Sequence, residues 1–135
     1  MNKTVWRTIM ETKIERFIKL CLELDDADNA RNIRKYNRTI DSLSKVDKYL
    51  NENEEEAMAL IELMKHDNIT VRGNAAAYCY NRNMMPDLAL AVMNEVFENA
   101  PIGNLRAGIG IKLGIISGRL AHLVPKKRYR LRART

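Results

Sequence analysis

The residues here with chemistry to offer are His66 and His122, Cys21 and Cys79, and the carboxylates of Glu52, Glu54, Glu55 and Glu56. A helical metal site sets a second ligand three or four residues on, and neither histidine has one. Ile69 and Thr70 follow His66 at those steps, and Pro125 and Lys126 follow His122. A nucleophilic thiol needs a base or cation beside it to lower its pKa. Cys79 has Tyr78 and Tyr80 instead, so it reads, like Cys21, as a buried reduced thiol. Two cysteines this far apart build neither a disulfide framework nor a zinc knuckle. The glutamate run could pair a general acid with a base, but the positive end of a helix dipole accounts for it fully. Gly108, Gly110 and Gly114 lie within a helical pattern and not in a phosphate loop leading to a lysine. The expectation is a non-enzyme with no metal and no cofactor.

Charge is unevenly distributed. Residues 101–135 carry nine cations and no carboxylate, which leaves 14 cations against 17 anions before them. The net charge of +6 thus describes a mildly acidic body with a basic end. After Pro125, Lys126, Lys127, Arg128, Arg130, Arg132 and Arg134 surround Tyr129 without an apolar stripe, so residues 1–122 read as the domain and 123–135 as a tail. At 46% hydrophobic and 30% charged, the chain has the composition of a folded globular domain. Arg7, Glu11, Lys13, Glu15 and Arg16 interrupt any signal-peptide pattern. The apolar run Ile109–Ile116 contains Lys112 and falls far short of the ~20 residues of a spanning helix. A cytoplasmic location without membrane contact is the default expectation.

The elements that hold these residues are helices throughout. Met10, Ile14, Phe17, Ile18, Cys21 and Leu24 recur at three- and four-residue steps and predict a helix over 4–24. Asp25, Asp26 and Asp28 then end it and cap a second helix over 27–50, with Ile33, Tyr36, Ile40, Leu43, Val46 and Leu50 inward. Asn53 with Glu56 suggests a capping pair for a third helix, whose stripe is Ala57, Leu60, Ile61 and Met64. His66-Asp67-Asn68 is the turn, with Asn68 capping a fourth helix that buries Val71, Ala75, Tyr78 and Cys79. Pro86 opens a fifth over 87–98, with Leu88, Val92, Val96 and Phe97 inward. The last helix, from Pro101 or Asn104 to His122, would hold Gly108, Gly110, Gly114 and Gly118, each costing ~1 kcal/mol against alanine. Gly110, Gly114 and Gly118 share a face suited to close packing against the fourth or fifth helix, or to a partner helix. A short strand over 105–111 is the alternative.

The stretch from Leu60 to Ala77 carries the clearest motif: Leu60 and Leu63, the turn residue Asp67, then Val71, Arg72, Ala75 and Ala76. Small alanines let two helices cross closely, and Arg72 can reach a carboxylate near the turn and tie one hairpin to the next. In these positions the sequence resembles HEAT-repeat proteins. Over residues 10–118 it resembles a small bacterial family of uncharacterised HEAT-like domains of unknown function. The resemblance implies an all-α fold, a compact stack of about six helices forming an α-α superhelix with one well-formed central repeat flanked by capping helices. It also implies an interaction domain, and some HEAT-like proteins of this size are immunity partners of bacterial toxins.

Two kinds of partner compete. An acidic body suits another protein, such as a basic toxin or nuclease, with charge complementarity setting the association rate. The six tail cations suit phosphates, with Tyr129 stacking on a base. The pattern sets no oligomeric state.

Overall fold

The structure, a computed structural model, describes residues 12–119. Among these residues the chain is all-helical. The elements are α1 (Lys13–Asn29), α2 (Ile33–Asn51), α3 (Glu54–Ala57), α4 (Ala59–Leu63), α5 (Ile69–Asn81), α6 (Pro86–Asn99) and α7 (Asn104–Ile116). The pair α3–α4 is one helix interrupted at Met58, where the Ile61 N–H bonds the Met58 carbonyl three residues back. Counted that way, the described residues form six helices.

α1 starts later than its apolar stripe suggests. Thr12 is extended, its hydroxyl accepts the Glu15 N–H at 3.0 Å, and Glu15 Oε1 accepts the Thr12 N–H at 2.9 Å. This reciprocal box satisfies two N–H groups that have no partner within the helix, and it sets the start. Met10 and the expected beginning at Thr4 lie outside the described residues.

α1 also runs on through Asp25, Asp26 and Asp28 to Asn29. Arg31, at φ 54°, closes it: the Asn32 N–H bonds the Ala27 carbonyl and the Arg31 N–H bonds that of Asp28. These are the two bonds of a Schellman stop. α2 is capped not by the aspartates but by Asn32, whose Oδ1 accepts the Lys35 N–H. α5 stops the same way, with Asn83 at φ 56° and the Met84 N–H bonded to the Cys79 carbonyl.

The core joins Phe17, Leu20, Cys21 and Leu24 of α1 to Leu43, Val46 and Leu50 of α2. It continues through Leu60, Leu63 and Met64 to Val71, Ala75, Ala76 and Cys79 of α5, then Ala89, Met93 and Val96 of α6. Truncating a leucine such as Leu60 here would cost about 2–5 kcal/mol through lost burial and the cavity left behind. The buried stripe of α6 is Ala89–Met93–Val96, which keeps the expected Val96 but moves one position on from Leu88 and Val92. Leu88 and Val92 are only partly buried, and Phe97 is exposed.

Cross-links between helix ends give the layering. The Phe17 ring meets the Tyr78 ring edge to face at 5.3 Å, so α1 and α5 are antiparallel. Arg82, just past α5, pairs with Asp47 near the end of α2. Lys112 of α7 donates to Asn81 at the end of α5, and Asn104, where α7 starts, donates to Asp28 at 2.9 Å. Thus α2, α5 and α7 run parallel in one layer, while α1, α3–α4 and α6 return in the other.

Two expectations for α7 need correction. Residues 104–116 form one continuous helix, so there is no strand over 105–111. The helix ends at Ile116, not His122, and Gly118 is not interior: it follows the cap at φ 85°, a left-handed position where glycine carries no Cβ penalty. The capping pair Asn53–Glu56 also fails. Asn53 donates its amide to the Tyr49 carbonyl at 2.8 Å, and Glu56 accepts the Tyr49 hydroxyl.

Candidate interaction groove

The motif residues at the α4–α5 hairpin form a frame. Leu63, Val71, Ala75 and Ala76 are core. Asn68 accepts the Thr70 and Val71 N–H groups, both at 2.9 Å, and caps α5. His66 is spent on the turn, its Nδ1 accepting the Asn68 N–H at 3.0 Å.

Arg72 does not reach the Asp67 carboxylate. Its guanidinium donates to the Asp67 carbonyl at 2.9 Å and, through Nε and Nη2, to both oxygens of Glu95 on α6 at 2.8 Å. The bidentate bond to Arg72 holds the Glu95 carboxyl below the usual carboxylate range, and the bond to Glu95 raises the guanidinium further. Cys21 and Cys79 are both buried and free. Burial pushes the Cys21 thiol up strongly and the Cys79 thiol up to about 11, the reverse of activation. Lys126, Lys127, Arg128, Tyr129, Arg130, Arg132 and Arg134 lie outside the described residues, as do residues 123–125 and His122.

The acidic end of α1 does something its sequence position hides. Carboxylates in a last turn oppose that helix's own dipole. Asp25, however, accepts the Thr70 hydroxyl and the Asn68 side-chain amide at the start of α5. Asp28 accepts the Asn104 amide where α7 starts. Gly103, the residue before α7, brings no side chain to that end, and a Cβ there would lie 3.3 Å from Asp28 Oδ2. The aspartates expected to cap α2 therefore serve α5 and α7, 43 and 76 residues away.

Above this junction the parallel layer is open. Leu43, Val46 and Leu50 bury the second half of α2, whereas its first half keeps apolar surface in the open: Ile33 is 73% exposed and Ile40 38%. Tyr36 and Ile40 share a groove with Leu105, Gly108 and Lys112 of α7, with Asn74 and Ala77 of α5 as the floor and Asp25 and Asp28 at one end. The cavity is about 200 Å³, and a second hollow at Asp28, Tyr36 and Asn104 extends it beside Ile33. Gly108 faces empty space, for a Cβ there would meet nothing within 4 Å.

Gly110 is its opposite. A Cβ there would sit 2.7 Å from Phe97 Cε1, so this glycine lets α7 close on α6. Burial lowers the Lys112 pKa, while its ammonium bonds Asn81 and lies over the Tyr80 ring. Tyr36 is raised by burial and then by Asp28 and Asp25. The apolar stripe of α2 places Ile33, Tyr36 and Ile40 inward, and it gives no sign of Asn74 or Gly108. Gly108, a glycine inside a helical pattern, was the available signal.

Among the described residues, no helix is long and apolar enough to cross a membrane, and no cluster of histidine, cysteine or carboxylate residues could hold a metal ion. A family model described as a domain of unknown function (DUF2019) matches residues 11–100, a span that stops before α7. No curated protein matches the chain. Among solved structures, that of the protein RPA1889 from Rhodopseudomonas palustris CGA009 is similar, with a TM-score of 0.71. It is 21% identical, over 87% of this chain and 96% of that one. At that identity the likeness is one of fold alone.

Proposed function

The chain belongs to the DUF2019 family, whose function is unknown, and from that premise we propose that it is a non-catalytic protein-interaction domain whose docking surface is the groove between α2 and α7. One observation carries the reading: among the described residues, Ile33 and Ile40, at helical spacing on α2 to either side of the partly buried Tyr36, leave apolar surface exposed beside a cavity walled by α7. An uncovered apolar face opposite a second helix wall marks an interaction site more often than a surface accident. The parallel layer α2, α5, α7 backed by antiparallel partners supports a HEAT-like, three-hairpin superhelix, a class that binds through its inner helices. A bacterial immunity-type or regulatory role, exercised in the cytoplasm, is the version of this function we favour. Its non-catalytic character is supported by the raised, buried thiols and by a histidine spent on a turn.

Co-expression of the full chain with the product of the adjacent gene, followed by purification at high salt, tests this. A complex that forms with the native chain and is lost with Gly108→Trp, which fills the groove, is the expected result. A complex indifferent to that substitution would remove the groove from the function. The nine cations beyond residue 100 favour a second reading, contact with phosphates through the basic end. Retention on DNA that falls steeply with salt, and disappears on truncation after Val124, would support it.

A further inference from the structure

The chemistry of the groove narrows what it can hold. Its hydrogen-bonding groups divide into those already paired and those left over. Asp25 has both oxygens engaged, one by the Thr70 hydroxyl and the other by the Asn68 amide. Lys112 is held at the far end by Asn81 Oδ1 and the Tyr80 ring.

Three atoms on the cavity wall remain free among the described residues. Asp28 receives Asn104 on Oδ1, and its Oδ2 accepts nothing. Asn74 donates its amide to the Thr70 carbonyl, and its Oδ1 accepts nothing. Tyr36 has no hydrogen bond to its hydroxyl. The unused capacity is thus a carboxylate oxygen, an amide oxygen and a hydroxyl that can itself accept. No described cation forms an ion pair with Asp28. Around these acceptors the wall is apolar: Leu24, Ile40, Ala77 and Leu105. At about 200 Å³ the cavity has the size of one long side chain, below the usual range for small-molecule sites.

We propose that the groove receives an arginine side chain of a partner protein. Its guanidinium would take Asp28, Asn74 and Tyr36, and its methylene stem would lie on Leu24, Ile40 and Leu105. A planar cation with five N–H donors matches acceptors spread over three helices, whereas an ammonium is a single point with three donors. The stem is apolar and the head charged, in the same order as the wall. This inference rests on the interaction reading above and deepens it by naming the anchor.

A short peptide, acetyl-Ala-Leu-Arg-Leu-Ala-amide, titrated into the 15N-labelled full chain is the probe. Its control is the same peptide with citrulline, which keeps the shape and loses the charge. The arginine peptide should move the Gly108 backbone and Asn74 side-chain amide resonances saturably, and the citrulline peptide should bind roughly tenfold or more weakly, as expected on losing a charge-assisted hydrogen bond. Asp28→Asn should weaken the arginine peptide by a similar factor. Because Asp28 also meets the start of α7, Gly108→Trp serves as the second variant: it occludes the cavity while leaving all three acceptor residues in the chain, and should abolish the shift of the Asn74 side-chain amide. Equal affinity for the two peptides, or shifts that survive Gly108→Trp, would overturn the arginine anchor. So would the absence of saturable shifts at millimolar peptide. The co-purification experiment above tests the groove separately, since a partner could dock there without arginine.

Discussion

Gly108 and Gly110 stand two residues apart in α7, and replacing each with alanine should move stability in different directions. At a helix interior, alanine is favoured over glycine by ~1 kcal/mol, chiefly because glycine loses more backbone freedom on folding. At Gly108 nothing opposes that gain, since the new Cβ enters open space. Gly108→Ala should therefore raise stability by roughly 0.5–1 kcal/mol, about 4 °C in Tm for a domain of this size. At Gly110 the same gain meets a Cβ 2.7 Å from Phe97 Cε1 and 3.2 Å from Cδ1. The ring must turn outward or α7 must lift, and overpacking of this kind costs about 1–3 kcal/mol. Displacing Phe97 also loosens the Arg106 guanidinium, 5.2 Å from the ring centroid, a contact of order 0.5–1 kcal/mol where exposed. Gly110→Ala should thus be neutral to about 2 kcal/mol destabilising, leaving ~1–3 kcal/mol between the variants. Urea denaturation of both proteins, with m-values compared to confirm a common unfolded state, measures the gap. Equal stabilisation by the two alanines would refute the close approach of α7 to α6 at Gly110, and with it the account of why glycine stands there.

Three further outcomes follow from contacts elsewhere. Asp25→Ala should cost about 1–3 kcal/mol in urea melts, because the Thr70 hydroxyl, in a residue only 4% exposed, and the Asn68 amide both lose their acceptor. A double-mutant cycle with Arg72→Ala and Glu95→Ala should give a coupling of roughly 0.5–1 kcal/mol, modest because Glu95 is 41% exposed. Since the folded-state pKa of Glu95 is depressed, its contribution is present above the ordinary glutamate range and fades as pH falls through the folded value. Glu95→Gln should accordingly flatten the acid limb of a Tm-against-pH plot, and an unchanged limb would count against the pair. Neither thiol should react with a disulfide reagent at pH 8 in the folded protein, and both should react in urea; rapid labelling of native Cys79 would contradict its burial.

Periodicity made most of the helices legible, and local chemistry placed some of their ends. Asn68 and Pro86 announce the starts of α5 and α6 by rules that need only neighbouring residues. What the sequence hid was contact at long range. Asp25, Asp26 and Asp28 look like a local helix stop, because nothing nearby shows that Asn68 and Asn104 will arrive to use two of them. Ile33 and Ile40 look like core for the same reason: an apolar stripe records which side of a helix faces inward but not whether a neighbour covers it. The groove is that difference between a stripe and its burial. Arg72 was recognisable as a tie, but its carboxylate, Glu95, lies 23 residues on and across a helix boundary.

The acidic end of α1 has a consequence for how this domain comes apart. A stack of helix pairs that each touch only the next can fray from one end, losing units in turn. Here the last turn of α1 is unfavourable on its own and becomes favourable only when the starts of α5 and α7 are both in place. Detaching α7 leaves Asp28 opposing its own helix, and detaching α5 does the same to Asp25. The first, middle and last hairpins are thereby linked in one cooperative unit, so hydrogen exchange should find the amides of α1, α5 and α7 opening together.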